Sequence, residues 1–266
     1  MSFITIAAAT DPGLQRTNNQ DYHAYYSPDD VSAYKKGVLL ILADGMGGHS
    51  GGEIASKTAV DVLMKEYYKD NGHSIRKSLE QAFLKANKEV LAKGQDDIRL
   101  KGMGSTLTAV VVKNDKMLYA HVGDSRGYII HDNKISQFTE DHSYVASLVK
   151  VGVISEEEAL THPERNIITR GIGIKKDLKI DMPETYIKTK KGQYILLCCD
   201  GLWGVVPNDE ILSAIYRHKH PNIICDKLVE EANKSGGPDN ITVLVARIER
   251  TSFMSNLIGR CKDFLR

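Results

Sequence analysis

Three short apolar runs of this sequence close on an aspartate: ILAD at Asp44, AHVGD at Asp124 and LLCCD at Asp200. A fourth run, NITVLVARIE, begins directly after GGPD, with Asp239. Any one of these alone reads as a turn at the end of a strand. Four such ends side by side would gather four like charges. Carboxylates at the ends of buried strands are tolerable only where solvent, hydrogen bonds or a cation balances them. A divalent metal is the simplest counter-charge. Oxygen donors, with no His-Glu-x-x-His or paired Cys-x-x-Cys motif, suit the hard ions Mg²⁺ or Mn²⁺ and not Zn²⁺. Gly45, directly after Asp44, lets the backbone turn beside a ligand and offers its carbonyl to it.

Near the start, QRTNNQDYH places Arg16 and Asp21 in a polar segment after the first apolar run. It reads either as a solvated loop or as a second part of the site. In the second case Arg16 supplies a planar, permanently charged fork for a phosphate and Asp21 another oxygen for the metal shell. The loop GMGGHSGGEI lacks the Gly-Lys-Ser/Thr ending of a phosphate-binding P-loop. GDSRG, residues 123–127, has the spacing of a serine-hydrolase elbow, but that elbow needs a helix after the serine, and a hairpin pattern follows here.

The elements that must position these residues are short strands rich in Val, Ile, Leu and Tyr, namely FITIAAAT, GVLLILAD, TLTAVVVK, MLYAHVGD, GYIIHDNKISQFT, YILLCCD and NITVLVARIE. Two amphipathic helices follow the second strand, one facing inward through Ile54, Ala55, Ala59, Val62, Leu63 and Tyr67, the other through Ile75, Leu79, Ala82, Phe83, Ala86 and Val90. Two more follow the late strand, the first capped by Asn208. Strands in succession, joined by turns at 113–116 and at HDNK, imply antiparallel sheets, and near-continuous apolar strands imply sheets covered on both faces. The expected fold is therefore α+β: two packed antiparallel sheets with helices outside. The stretch 141–170 is poorly patterned and reads as an excursion from the sheet.

Composition excludes little else. The chain has 266 residues and a formal net charge of +1, so no global field draws it to nucleic acid or a membrane. No run approaches the roughly 18 apolar residues of a membrane span, and no basic segment precedes the first apolar stretch. A cytoplasmic protein with reduced cysteines is expected, since Cys198 and Cys199, as strand neighbours, point to opposite faces.

The segments RTNNQD (16–21), ADGMGGHSGGEIAS (43–56), GMGSTLTAV (102–110), HVGDSRGY (121–128), TEDHS (139–143), HPERNIITRGIG (162–173), CDGLWGVV (199–206) and GGPDNITVLVAR (236–247) occur in this order. In that series the chain resembles the metal-dependent serine/threonine protein phosphatases of the PPM, or PP2C, family, bacterial branch. The resemblance implies a four-layer α-β-β-α sandwich over residues 1–250, with a flap at about 141–170. It implies two Mg²⁺ or Mn²⁺ ions: Asp44 bridges both, Gly45 offers its carbonyl to one, and Asp200 and Asp239 hold the other. Asp21 orders metal-bound water, Asp124 holds a third ion in bacterial members, and Arg16 grips the substrate phosphate. Metal-activated water would then attack the phosphorus of phosphoserine or phosphothreonine in proteins, without a phosphoenzyme. Phosphorylated proteins are the implied substrates and a Ser/Thr kinase the implied counterpart. A monomer is expected, with neither nucleic acid nor a transmembrane segment.

Two departures stand out. Many relatives have Glu before the first aspartate, where this chain has Gln20. Animal relatives carry a histidine two residues after the strand-end aspartate, where this chain has Met46, so His49 is the general-acid candidate, set against a role in packing its loop. Inactive relatives that only bind phosphoprotein typically lose the carboxylates, which this chain keeps. Residues 251–266, TSFMSNLIGRCKDFLR, leave the pattern and read as an amphipathic tail. Phe253, Leu257, Ile258, Cys261, Phe264 and Leu265 form a stripe, with Arg260, Lys262 and Arg266 nearby. The stripe would dock on its own domain or meet a partner or an anionic lipid surface.

Overall fold

The computed structural model describes residues 4–27, 35–48, 50–69 and 74–249. Among these residues, eleven strands fall into two antiparallel sheets. The first, in the order β1-β11-β10-β7-β8, is built from Ile4–Asp11 (β1), Ile241–Ile248 (β11), Tyr194–Cys198 (β10), Arg126–His131 (β7) and Lys134–Gln137 (β8). The second, in the order β2-β3-β5-β6-β9, contains Asp21–Tyr26 (β2), Val38–Met46 (β3), Leu107–Lys113 (β5), Lys116–Val122 (β6) and Ile187–Lys188 (β9), with Gly104–Ser105 (β4) paired to the end of β3.

Period-two alternation explains why these runs are apolar throughout. On β3, Leu39, Ile41 and Ala43 pack under helices α1 (Gly51–Lys69) and α2 (Ile75–Asp96), while Val38, Leu40 and Leu42 face the other sheet. On β10, Leu196 and Cys198 face helices α6 (Asn208–His218) and α7 (Pro221–Lys234), and Ile195 and Leu197 meet β3 and β5 between the sheets. Cys199, just past β10, belongs to that same inner layer. Three apolar cores thus separate four layers, as the α+β sandwich requires.

The hairpins turn where the sequence places them. Asn114 (φ 56°) lies in the β5–β6 turn, and Asp132 (φ 50°) and Asn133 (φ 57°) make the β7–β8 turn. Segment 141–170 leaves the sheets and carries two short helices, α3 (Tyr144–Lys150) and α4 (Glu156–Thr161), the latter opened by a Ser155/Glu158 capping box. Helix α5 (Asp200–Trp203) follows β10.

Three local expectations change. β3 continues two residues past Asp44, because β4 extends its ladder at Gly45 and Met46. β2 is a strand that the polar RTNNQD approach conceals. Asn208 is the first residue of α6, with Pro207 in the cap position and no side-chain cap bond.

Candidate metal centre

The antiparallel register sets Asp21, the first residue of β2, directly opposite Asp44 on β3. Asp44 is fixed through its backbone: its N–H donates to Thr106 Oγ1 (2.8 Å), and its carbonyl accepts from the Thr106 N–H (2.8 Å) and the Ser105 hydroxyl (2.9 Å). Asp200 opens α5 from the neighbouring sheet, Asp239 precedes β11, and Asp124 follows β6. The five sense one another. Burial and then repulsion from Asp21, Asp200, Asp124 and Asp239 raise the Asp44 pKa well above the carboxylate range. Burial, with Asp200 and Asp239 adding, lifts Asp21 to about 7, and burial with Asp239 lifts Asp200 to about 6. Asp124, pushed up by burial and by Asp200, is 4% exposed, whereas Asp44 and Asp200 keep surface open to the cleft.

Cationic compensation is incomplete. Arg16, half-exposed at the rim, donates Nη2 to Asp239 Oδ2 at 2.8 Å, and Arg126 is committed to Asp141. Neither side-chain oxygen of Asp21 accepts a hydrogen bond, although it is only 7% exposed. The nearby Thr242 hydroxyl, which with the Cys199 thiol favours ionised Asp21, is 2.7 Å from the Thr10 hydroxyl, and the Cys199 Sγ donates to the Asn240 carbonyl at 3.2 Å. Buried carboxylates left so are costly unless a cation balances them. Among the described residues no three His, Cys, Asp or Glu side chains close around one point. Mg²⁺ and Mn²⁺ need no such cage, since a hard ion keeps much of its water and takes one or two carboxylates. The donor set therefore fits hydrated divalent ions.

Glycine at positions 45 and 52 lets the strand end touch the start of α1. A Cβ on Gly45 would sit 2.1 Å from the Gly52 carbonyl oxygen, and one on Gly52 would sit 2.7 Å from the Gly45 carbonyl oxygen. Gln20 closes the seam: its carbonyl accepts from the Gly45 N–H (3.1 Å) and the Ser56 hydroxyl (2.6 Å), and its amide donates to the Gly47 carbonyl (3.2 Å). Glutamate could not make that last donation when ionised. His49 lies outside the described residues, as does the tail 251–266.

The sequence reading missed several supports. Asn240, 6% exposed, accepts from the Gln20 N–H (2.8 Å) and donates Nδ2 to the carbonyls of Pro12 (3.0 Å) and Asn18 (2.9 Å). One amide thereby folds the loop carrying Arg16 against β11. Its only sequence signal is adjacency to Asp239. The Trp203 indole donates to the Asp124 carbonyl (3.1 Å), and the His142 Nδ1 accepts from the Gly123 N–H (3.0 Å). Ser125 is fully buried, 2.7 Å from the Thr106 hydroxyl, and is followed by strand β7, so it is no nucleophile.

Comparison with known proteins agrees with this architecture. The family model described as protein phosphatase 2C matches residues 15–227. The serine/threonine phosphatase stp of Listeria innocua is 35% identical over 258 residues, covering 96% of this chain and 97% of that protein. The crystal structure of the Mycobacterium tuberculosis serine/threonine phosphatase PstP/Ppp superposes with a TM-score of 0.82 at 36% identity, covering 93% of this chain and 99% of that one. A PstP catalytic domain in complex with two manganese ions gives a TM-score of 0.80 at 34% identity, covering 92% and 98%.

Proposed function

Because this chain belongs to the protein phosphatase 2C family, we propose that its acidic centre removes phosphate from phosphoserine and phosphothreonine in proteins, with Mg²⁺ or Mn²⁺ as cofactor. Asp44, the Gly45 carbonyl, Asp200 and Asp239 would hold two ions, Asp124 a third, and Asp21 would order their water. When bound, such ions lower the pKa of water for in-line attack on phosphorus and neutralise the phosphoryl oxygens.

The chain's own residues do the rest. Arg16, half-exposed and within reach of Asp239, exchanges that carboxylate for the substrate phosphate and orients it with a planar fork. Thr106 and Ser105 hold Asp44 still by its backbone, so its carboxylate need not be ordered during the reaction. No side chain takes the phosphoryl group: Ser125 is buried and hydrogen-bonded, and burial raises the Cys199 thiol far from its reactive range. The observation that carries this reading is the gathering of five carboxylates, one with two unpartnered buried oxygens, where strand ends of both sheets meet. His49, in the glycine loop, is the candidate proton donor to the leaving alcohol.

The substrates are phosphoproteins made by a Ser/Thr kinase, and the flap 141–170, which returns to the site where Ile172 pairs with Ser105, contributes to their selection. The chain is read as acting as a monomer. Buried free Cys198, Cys199 and Cys225 support a cytoplasmic setting. Among the described residues no helix is long and apolar enough to cross a membrane.

The decisive assay is hydrolysis of a phosphothreonine peptide with Mn²⁺, compared with chelator and with Asp44→Asn and Asp200→Ala. Wild type should exceed each by about a thousandfold or more. Equal turnover by wild type and both variants would end this reading.

A further inference from the structure

Two strands that lead to the centre, one from each sheet, carry acid at one end and base at the other. β3 runs from Lys35 and Lys36 to Asp44, and β10 runs from Lys190 and Lys191 to Asp200. The basic end is continuous. Lys113 Nζ donates to the Lys35 carbonyl (2.6 Å), Lys113 pairs with Lys116 across the hairpin, and Lys116 pairs with Lys188 across β6 and β9. The turn at Lys190 and Lys191 then crosses to the first sheet, where the Gly192 N–H donates to the Ile248 carbonyl at the end of β11. Among the described residues, Lys35, Lys113, Lys116, Lys188, Lys190 and Lys191 make no ion pair, and strand register and turns gather all six at one end of the two sheets.

Such an arrangement costs stability without an external anion, since like charges opposite one another on paired strands repel. Lysines commonly guard an edge strand against unwanted pairing. That accounts for Lys188 on β9, but not for the turn lysines or for Lys35 and Lys113 further across the sheet. Asp115, in the β5–β6 turn, and Glu249, which follows β11 and pairs with Arg247, are acids set among them.

We infer that this lysine-rich pole is a docking surface for an anionic lipid bilayer. Total charge does not produce it, because the formal net charge is +1; the distribution does. Lysines close to an anionic bilayer contribute about 1 kcal/mol each. The lysine surface reaches the end of β11, and the sequence continues from there into 251–266, with its apolar residues and three cations. That pairing of base with apolar side chains suits a lipid interface better than a nucleic acid or an acidic protein. Docked this way, the carboxylate centre faces away from the membrane by about 25 Å, the length of a strand such as β3.

The test is co-sedimentation of the full chain with phosphatidylcholine vesicles, with and without phosphatidylglycerol. The chain should bind only the anionic vesicles and release in high salt, and the triple variant Lys188→Glu, Lys190→Glu, Lys191→Glu should bind at least about tenfold more weakly. Unchanged hydrolysis of para-nitrophenyl phosphate by that variant shows that it is folded and separates this inference from the phosphatase assignment. Equal binding to neutral vesicles, full binding by the triple variant, or retention on DNA without vesicle binding would each overturn it.

Discussion

The centre is assembled from two halves that are held by different means. Asp21 and Asp44 come from paired strands of one sheet, and their separation is set by backbone register. Asp200, Asp239 and Arg16 come from a short helix and two loops at the strand ends of the other sheet, where the ladder has run out. There, side chains take over: Asn240 binds three backbone points of the Arg16 loop, and a Cβ on Gly13 (φ +77°) would lie 2.2 Å from the Asp239 carbonyl oxygen. A sheet spreads its support over many bonds, whereas the loop half rests on few, chiefly the Asn240 amide and the Leu14 and Gln15 N–H groups, which both donate to the Gly237 carbonyl. The two halves should therefore fail differently.

The largest effect is expected in the loop half. Asn240→Ala removes three hydrogen bonds and leaves their backbone partners unsatisfied, costing about 3 kcal/mol. It should also raise KM for a phosphopeptide more than it lowers kcat, since Arg16 loses its position. Asn240→Asp, which retains the acceptor for Gln20 but loses both donations, should show the same KM bias. A drop confined to kcat would mean that the amide does not position Arg16.

The sheet half can be probed by pH in metal-free protein. Burial holds Asp21 at about 7, against about 4 in an unfolded chain. Between those values the native state binds the extra proton, so the contribution of Asp21 is complete below about pH 4 and is lost as pH rises through 7. With chelator present, the unfolding free energy of wild type relative to Asp21→Asn should fall across that window, as the native state gives up its extra proton. A flat or rising difference would contradict a desolvated, uncompensated carboxylate.

The seam between the halves should give the smallest change. Gln20→Glu loses the donation to the Gly47 carbonyl and sets a carboxylate beside an oxygen, for about 1 kcal/mol and a few-fold loss of turnover. Wild-type stability and activity in that variant would show that the glycine loop is held by its backbone alone.

Legibility in the sequence divides along the same line. The apolar strands, the two hairpin turns, the helices over each sheet and the chain positions of the carboxylates all follow from local pattern, because burial on both faces leaves continuous apolar runs. β2 escaped because its residues, DYHAYY, hold no Val, Ile or Leu run and follow a polar stretch. Asn240 escaped because its partners lie more than 200 residues away in sequence, so no window contains both. The extension of β3 past Asp44 depended on β4, two residues with no pattern of their own.

The alternation that sends Cys198 toward the helices and Cys199 between the sheets also makes this chain its own set of molecular clocks. Both thiols are fully buried, and Cys225 is sealed within α7 at 1% exposure. An alkylating reagent can mark each only when the layer covering it parts. The order in which the three are modified would therefore record which interface of the sandwich opens first, read from a native chain with no label introduced.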